Sequence, residues 1–185
     1  MGKIILVTGG ARSGKSYFAQ QLALESEGPV LFVATAEAGD DEMRRRIEEH
    51  RRQRPPTWQT LEVPTQVAGR ISEATAGART VVVDCITLLV CNILLKHGED
   101  KIASRVEDAV MAEMGELARY MGRTKAGFII VTNEVGLGLV PANDMGRLYR
   151  DLLGKANQVL AQCADEVYLM VSGIPLLIKP ARPSR

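Results

Sequence analysis

Neither sign of charge dominates this chain: 23 Lys and Arg face 22 Asp and Glu, a formal net charge of +1. A surface so balanced has no global basic field with which to hold a polyanion, and nucleic acid is not expected as a partner. Long apolar runs are lacking as well, none approaching the roughly 20 residues that a membrane helix requires. The opening Met1-Gly2-Lys3 leads into an apolar stretch too short for a signal peptide. Together these absences make the chain cytoplasmic by expectation, with no membrane span. Cysteine is scarce: Cys85, Cys91 and Cys163 are odd in number and lack metal-type spacing, so neither a disulfide framework nor a zinc site is implied. They are expected as reduced, mostly buried thiols. There is no internal repeat, low-complexity segment or interdomain linker, and 185 residues with 46% hydrophobic and 24% charged content make one globular domain over 1–185.

Short β-branched apolar runs alternate with helical patterns, which predicts an α/β fold with a mostly parallel sheet flanked by helices. Strands are predicted at Ile4 to Thr8, Val30 to Ala34, Thr80 to Asp84, Phe128 to Thr132 and Glu166 to Val171, with a shorter one at Gln59 to Val63. Amphipathic helices are predicted at Ser16 to Glu25, Asp41 to Arg54, Val67 to Ala74, Ile102 to Met121 and Asp144 to Cys163, and Pro55-Pro56 stops the second of them. Two apolar runs between Val167 and Ile178 are split only by Ser172-Gly173, the chemistry of a hairpin turn, so the sheet should finish with an antiparallel hairpin.

Gly9-Gly10-Ala11-Arg12-Ser13-Gly14-Lys15-Ser16 fits G-x-x-x-x-G-K-[ST] directly after the first strand and before a helix. Glycines there let successive backbone N–H groups turn toward phosphate oxygens, and the helix presents its positive dipole end to the same anion. Lys15 reaches the β and γ phosphates, and the Ser16 hydroxyl is placed to ligate Mg²⁺. Asp84 ends an apolar strand, where a P-loop enzyme keeps its second magnesium-facing carboxylate. The two motifs establish nucleotide use without naming the reaction.

Met43, Ile47 and His50 share one face of the second helix, so the histidine points inward, amid Arg44, Arg45, Arg46, Arg51, Arg52 and Arg54. Such cationic density suits a triphosphate, and a neutral imidazole can attack the α-phosphorus of a nucleotide and expel pyrophosphate. A histidine on an apolar face is more often a packed core residue, and an arginine run more often a solvated helix surface; from the residues alone both readings stand.

The ordered series of the phosphate-loop motif, Ala34-Thr35-Ala36, Asp41-Glu42-Met43-x-x-Arg46-Ile47-x-x-His50-Arg51, Asp84-Cys85-Ile86-Thr87-Leu88 and Thr132-Asn133-Glu134-Val135-Gly136-Leu137-Gly138 closely resembles the bifunctional adenosylcobinamide kinase and adenosylcobinamide-phosphate guanylyltransferase family. The resemblance runs from Ile4 to about Lys179. It implies a RecA-like P-loop NTPase fold and a homo-oligomer of trimeric or hexameric type. It implies phosphorylation of adenosylcobinamide with ATP or GTP, then transfer of GMP from GTP through a guanylylated histidine to give adenosylcobinamide-GDP, a late stage of cobalamin assembly. His50 matches that histidine. The positions matching the family's nucleotide contacts are the loop from Gly9 to Ser16, Ala34, Thr35 and Ala36, then Arg51, Arg52, Gln53 and Arg54, and finally Glu62 and Asp84.

Glu134 either orients the acceptor hydroxyl or is a hydrogen-bonded turn residue, and the glycines after it are expected to make a mobile loop able to close over substrate. Arg147 and Arg150 act either as arginine fingers toward a neighbouring subunit or, more simply, in surface salt bridges. The tail from Pro180 to Arg185 extends past the motifs and is expected to be mobile. Two competing functions use the same motifs: a kinase of another small alcohol with His50 structural, and a non-catalytic nucleotide switch.

Overall fold

The computed structural model describes residues 2–39, 41–52, 54–74, 77–97 and 103–181. Its chain order is β1 (Ile4–Gly9), α1 (Lys15–Glu25), β2 (Val30–Ala34), α2 (Asp41–Arg52), β3 (Gln59–Glu62), α3 (Val67–Ala74), β4 (Thr80–Asp84), α4 (Ile86–Lys96), α5 (Ala103–Met121), β5 (Gly127–Val131), α6 (Asp144–Cys163), β6 (Glu166–Val171) and β7 (Ile174–Lys179). One seven-stranded sheet runs in the order β3-β2-β4-β5-β1-β6-β7. Every pairing is parallel except the last, where β6 meets β7 antiparallel. The expected α/β architecture with a closing hairpin is therefore observed.

The central strands are apolar throughout because both faces of the sheet are covered. Their alternation divides the core. Ile4, Leu6, Val81, Val83, Phe128 and Ile130 face one side with Ile71 of α3, Leu89 of α4, Leu117 of α5 and Leu152 of α6. Ile5, Val7, Val82, Ile129 and Val131 face the other, with Ala19 and Ala23 of α1. Each fully buried aliphatic side chain contributes about 1.5–3 kcal/mol by leaving water. In contrast, no described side chain of α2 is buried, so that helix stands clear of the core.

Edges move slightly from the sequence expectation. The second helix stops at Arg52 rather than Arg54, because the residue before a proline is pushed out of the α region; Gln53 lies outside the described residues. Strand β5 covers Gly127–Val131, one residue earlier than expected, since Gly127 N–H already donates to Arg79 O. The expectation of mostly buried thiols holds only in part: Cys85 and Cys91 are half-buried, whereas Cys163, at the solvent end of α6, is exposed. Of the tail, residues 182–185 lie outside the described residues. Lys179, the last residue of β7, donates to Ala161 O, Gln162 O and Ala164 O. It thereby ties the hairpin to the carbonyl-rich end of α6.

Candidate active site

All three functional strand ends lie on the carboxyl edge of the sheet, where β1, β5 and β4 are successive neighbours. The loop after β1 closes on itself through Ser13 N–H to Gly10 O and is braced from outside by Glu134 N–H to Gly9 O and Gly173 N–H to Ser13 O. Gly9 adopts a φ of 146°, and a Cβ there would meet Met170 O at 2.5 Å, so the tight approach of β1 to β6 requires glycine. Gly14, at φ 93°, caps α1. Lys15 opens that helix with its ammonium donating to Gly10 O at 2.5 Å and Ser13 Oγ at 3.4 Å. Burial holds its pKa below the ordinary lysine value, while the Cys85 and Asp84 groups oppose the shift.

Asp84 stands across the cavity at the end of β4. Burial pushes its carboxyl above the usual carboxylate range, offset by a hydrogen bond from Ser16 and by the charges of His50, Arg54 and Lys15. The Ser16 hydroxyl and the Asp84 carboxylate thus meet, and a carboxylate disfavoured by burial beside a phosphate cradle is chemically suited to a divalent cation. Among the described residues there is no cluster of three or more side-chain ligands that could cage a metal without a nucleotide. Cys85 is pushed up to about 12, first by burial and then by Asp84, which leaves it an unreactive thiol.

The cavity, of about 710 Å³, is lined by Ala11 through Ser16 on one side, by Ala34, Ala36, Asp84 and Asn133 on its floor, and by Met43, Ile47, His50 and Arg54 opposite. His50 was expected to point into the protein; it is exposed and faces the cavity instead. The reason is that the apolar face of α2 lies over the cleft rather than on the sheet, so Met43 and Ile47 line the cleft beside it. The helix's arginines separate. Arg44 pairs with Asp41, Arg51 pairs with Glu62, and Arg45 and Arg52 are exposed. Of the expected cationic cluster, the side chain of Arg46 lies outside what is described, and among the described arginines Arg54 is the one that lines the cavity. Its guanidinium sits 3.9 Å from the centre of the Phe32 ring, and its Nε and Nη1 are buried without a hydrogen-bond partner. Buried donors left open in this way point to a ligand that completes them.

Gly9, Gly10, Thr35, Arg51, Arg52 and Glu62 do not line the cavity. Thr35 is fully buried; its hydroxyl donates to Cys85 O and accepts from Cys85 N–H, clamping β2 to the strand end that carries Asp84. Asn92 reinforces the clamp by donating to Thr35 O and Pro64 O. Glu134 accepts from Gly136 N–H through one carboxylate oxygen, the contact expected of a turn residue. Arg147 donates to Pro141 O and Ala142 O and pairs with Asp144, while Arg150 lies beside Asp151. Both arginines are thus engaged within their own surface. Phe32 and Thr87 also line the cavity; neither was expected as a site residue, although Thr87 belongs to the motif that begins at Asp84. For Phe32 the signal was present, since it shares a strand face with Ala34, two residues on.

Comparison with known proteins bears on the fold and the family. Solved structures similar to the fold include a protein of Pyrococcus horikoshii OT3, with TM-score 0.57, 11% identity and coverage of 98% of this chain and 88% of that one. The RadB recombinase matches with TM-score 0.51, 16% identity and coverage of 91% and 74%. At such identities these likenesses show the fold alone, a RecA-like P-loop NTPase. The model of the cobinamide kinase / cobinamide phosphate guanyltransferase family matches residues 5–178. The chain belongs to that family. Its relatives include the bifunctional adenosylcobalamin biosynthesis protein CobU of Escherichia coli K12, 42% identical over 95% of this chain and 99% of that protein. The corresponding protein CobP of Pseudomonas aeruginosa is 45% identical over 94% and 96%. Every candidate site residue, from Gly9 to Asp84, falls inside the span matched by the family.

Proposed function

We infer that this chain is a bifunctional enzyme of cobalamin assembly, acting as adenosylcobinamide kinase and as adenosylcobinamide-phosphate guanylyltransferase. Membership in the family supports this over a kinase of another small alcohol or a non-catalytic nucleotide switch. The observation that carries the residue roles is that one cavity is lined both by Lys15, Ser16 and Asp84 and by His50.

In the first step ATP or GTP lies along the loop from Gly9 to Ser16. Its N–H groups and Lys15 take the charge that spreads over the transferring phosphoryl group, and the acceptor hydroxyl attacks the γ-phosphorus. Ser16 and Asp84 would hold Mg²⁺, which would supply neutralisation of the phosphate charge. In the second step an imidazole nitrogen of His50 attacks the α-phosphorus of GTP. A P–N bond forms as the bond to the β-phosphate oxygen breaks, and pyrophosphate leaves. A phosphate oxygen of the cobinamide phosphate then displaces the imidazole and takes the GMP. Splitting one transfer into two displacements lowers each barrier. Arg54, with its open donors in the cavity, is assigned to the nucleotide; Arg51, which pairs with Glu62 outside the cavity lining, Arg52 and Gln53 are assigned to it from the family resemblance, as is Glu62. Ala34, Thr35 and Ala36 form the strand end beneath it.

GTP labelled at the α-phosphate tests this directly. The wild-type chain becomes labelled and releases the label to cobinamide phosphate. His50→Ala takes up none yet keeps cobinamide phosphorylation, and His97→Ala labels normally. Label trapped by His50→Ala would remove the histidine from the mechanism.

The assembly is assigned as a homo-oligomer, trimeric or hexameric, in which β7 is the natural contact. It is an edge strand whose Ile174, Leu176, Leu177 and Ile178 are all exposed, and an unpaired apolar edge invites a partner. None of the described helices is long and apolar enough to cross a membrane.

A further inference from the structure

We propose that the loop joining β5 to α6 is the platform on which the acceptor's corrin macrocycle rests, with Leu137, Leu139 and Val140 as its apolar contact surface; this rests on the family's cobinamide chemistry. These side chains are 82%, 96% and 66% exposed, and Met145 at the start of α6 is 44% exposed. Large apolar side chains held in water on the loop that leaves the cavity at Asn133 mark a binding surface.

The loop is built to hold them out. Gly136 N–H donates to the Glu134 carboxylate at 3.2 Å and Gly138 N–H to Val135 O at 3.2 Å. At the far end Arg147 donates to Pro141 O at 2.9 Å and Ala142 O at 2.7 Å, and Asn143 accepts from Gly146 N–H at the head of α6. A segment ordered at both ends loses little entropy when a ligand settles on it.

Its position meets the demand of the chemistry. The reacting hydroxyl sits on a short amide-linked arm of a large flat ring, so the ring must lie within an arm's length of the phosphate cradle. A cavity of about 710 Å³ is of the size a nucleotide fills, which leaves the ring at its mouth. Glu134 N–H bonds to Gly9 O at the base of the cradle and Asn133 lines the cavity. Leu137 is three residues further, at most about 10 Å along the chain. A second exposed apolar patch among the described residues, on β7, pairs Ile174 with Val171 and Lys179 with Val167. Its first residue adjoins the cradle, where Gly173 N–H donates to Ser13 O, and from there it runs down the side of the sheet, so that its other residues recede from the reacting groups.

The test is the double variant Leu137→Ser/Leu139→Ser, with Leu139→Ser and Leu139→Met beside it. KM for cobinamide, KM for the nucleotide, uptake of α-labelled GTP without acceptor, and mass by light scattering are measured for each. The double variant should raise KM for cobinamide by about tenfold or more, as expected when one or two leucine contacts are lost. Its KM for nucleotide and its labelling should stay as in the wild type, and Leu139→Met should restore most of the affinity. An unchanged KM for cobinamide overturns the proposal. So does a fall in assembly size that lowers every activity together, which would make the loop a contact between copies. A wild-type chain that turns over no cobinamide would instead strike the reading on which the proposal rests.

Discussion

At Asp84 function and stability pull apart. The carboxylate ends a strand whose four preceding residues are buried, and burial alone makes its charge unfavourable; Ser16, His50, Arg54 and Lys15 offset this without cancelling it. Asp84→Asn keeps the shape and removes the charge. In the absence of nucleotide the variant should melt no lower than the wild type, while Mg²⁺-dependent turnover falls by about 10²–10³-fold, as when a preorganised group facing transition-state charge is lost. Thermal scans with a Mg²⁺ titration of both proteins check this, and superimposable titration curves would dismiss Asp84 as the carboxylate on the metal side. The placement of Lys15, Ser16 and Asp84 around one cavity was legible in the sequence because it follows from motif and strand end. The posture of Arg54 was not: its place above Phe32 depends on a helix that stops early and on a ring from a different strand.

Among elements, the contrast between α2 and α3 shows how burial decides use. Helix α3 packs Val67, Ala68 and Ile71 into the core, and its N-terminal Gln66 and Val67 N–H groups donate to Glu113 of α5 at 3.0 and 2.7 Å. That buried carboxylate does what a local capping residue does elsewhere. Glu113→Ala would leave both donors open and should cost about 1–3 kcal/mol, read as a lower urea midpoint, with α-label uptake unaffected. A midpoint equal to the wild type would mean that water satisfies the donors. The helix pattern of α3 was plain from its apolar spacing, but its cap was not, since the capping side chain lies more than forty residues away in sequence. For α2, spacing placed Met43, Ile47 and His50 on one face correctly. It could not say whether that face met the sheet or the cleft.

For the whole molecule, an edge strand with exposed apolar residues on both faces is the feature that a single copy leaves unresolved. Leu176→Lys/Ile178→Lys, placing charge on that edge, should convert the assembly to a smaller species by light scattering while each copy stays folded by circular dichroism. A wild-type chain that already runs as a monomer would remove the assignment. By itself the sequence determined the alternation of strands and helices, the closing hairpin, the phosphate cradle and the second carboxylate. Each of these is a local pattern of period, turn chemistry or motif whose physical cause lies within a few neighbouring residues. The tertiary structure alone decided the strand order that sets β1, β5 and β4 side by side, the clamp of Thr35 and Asn92 under Asp84, and the turn of His50 toward the cavity. Those depend on contacts between residues distant in the chain, and such contacts arise only once the sheet has closed and both of its faces are buried.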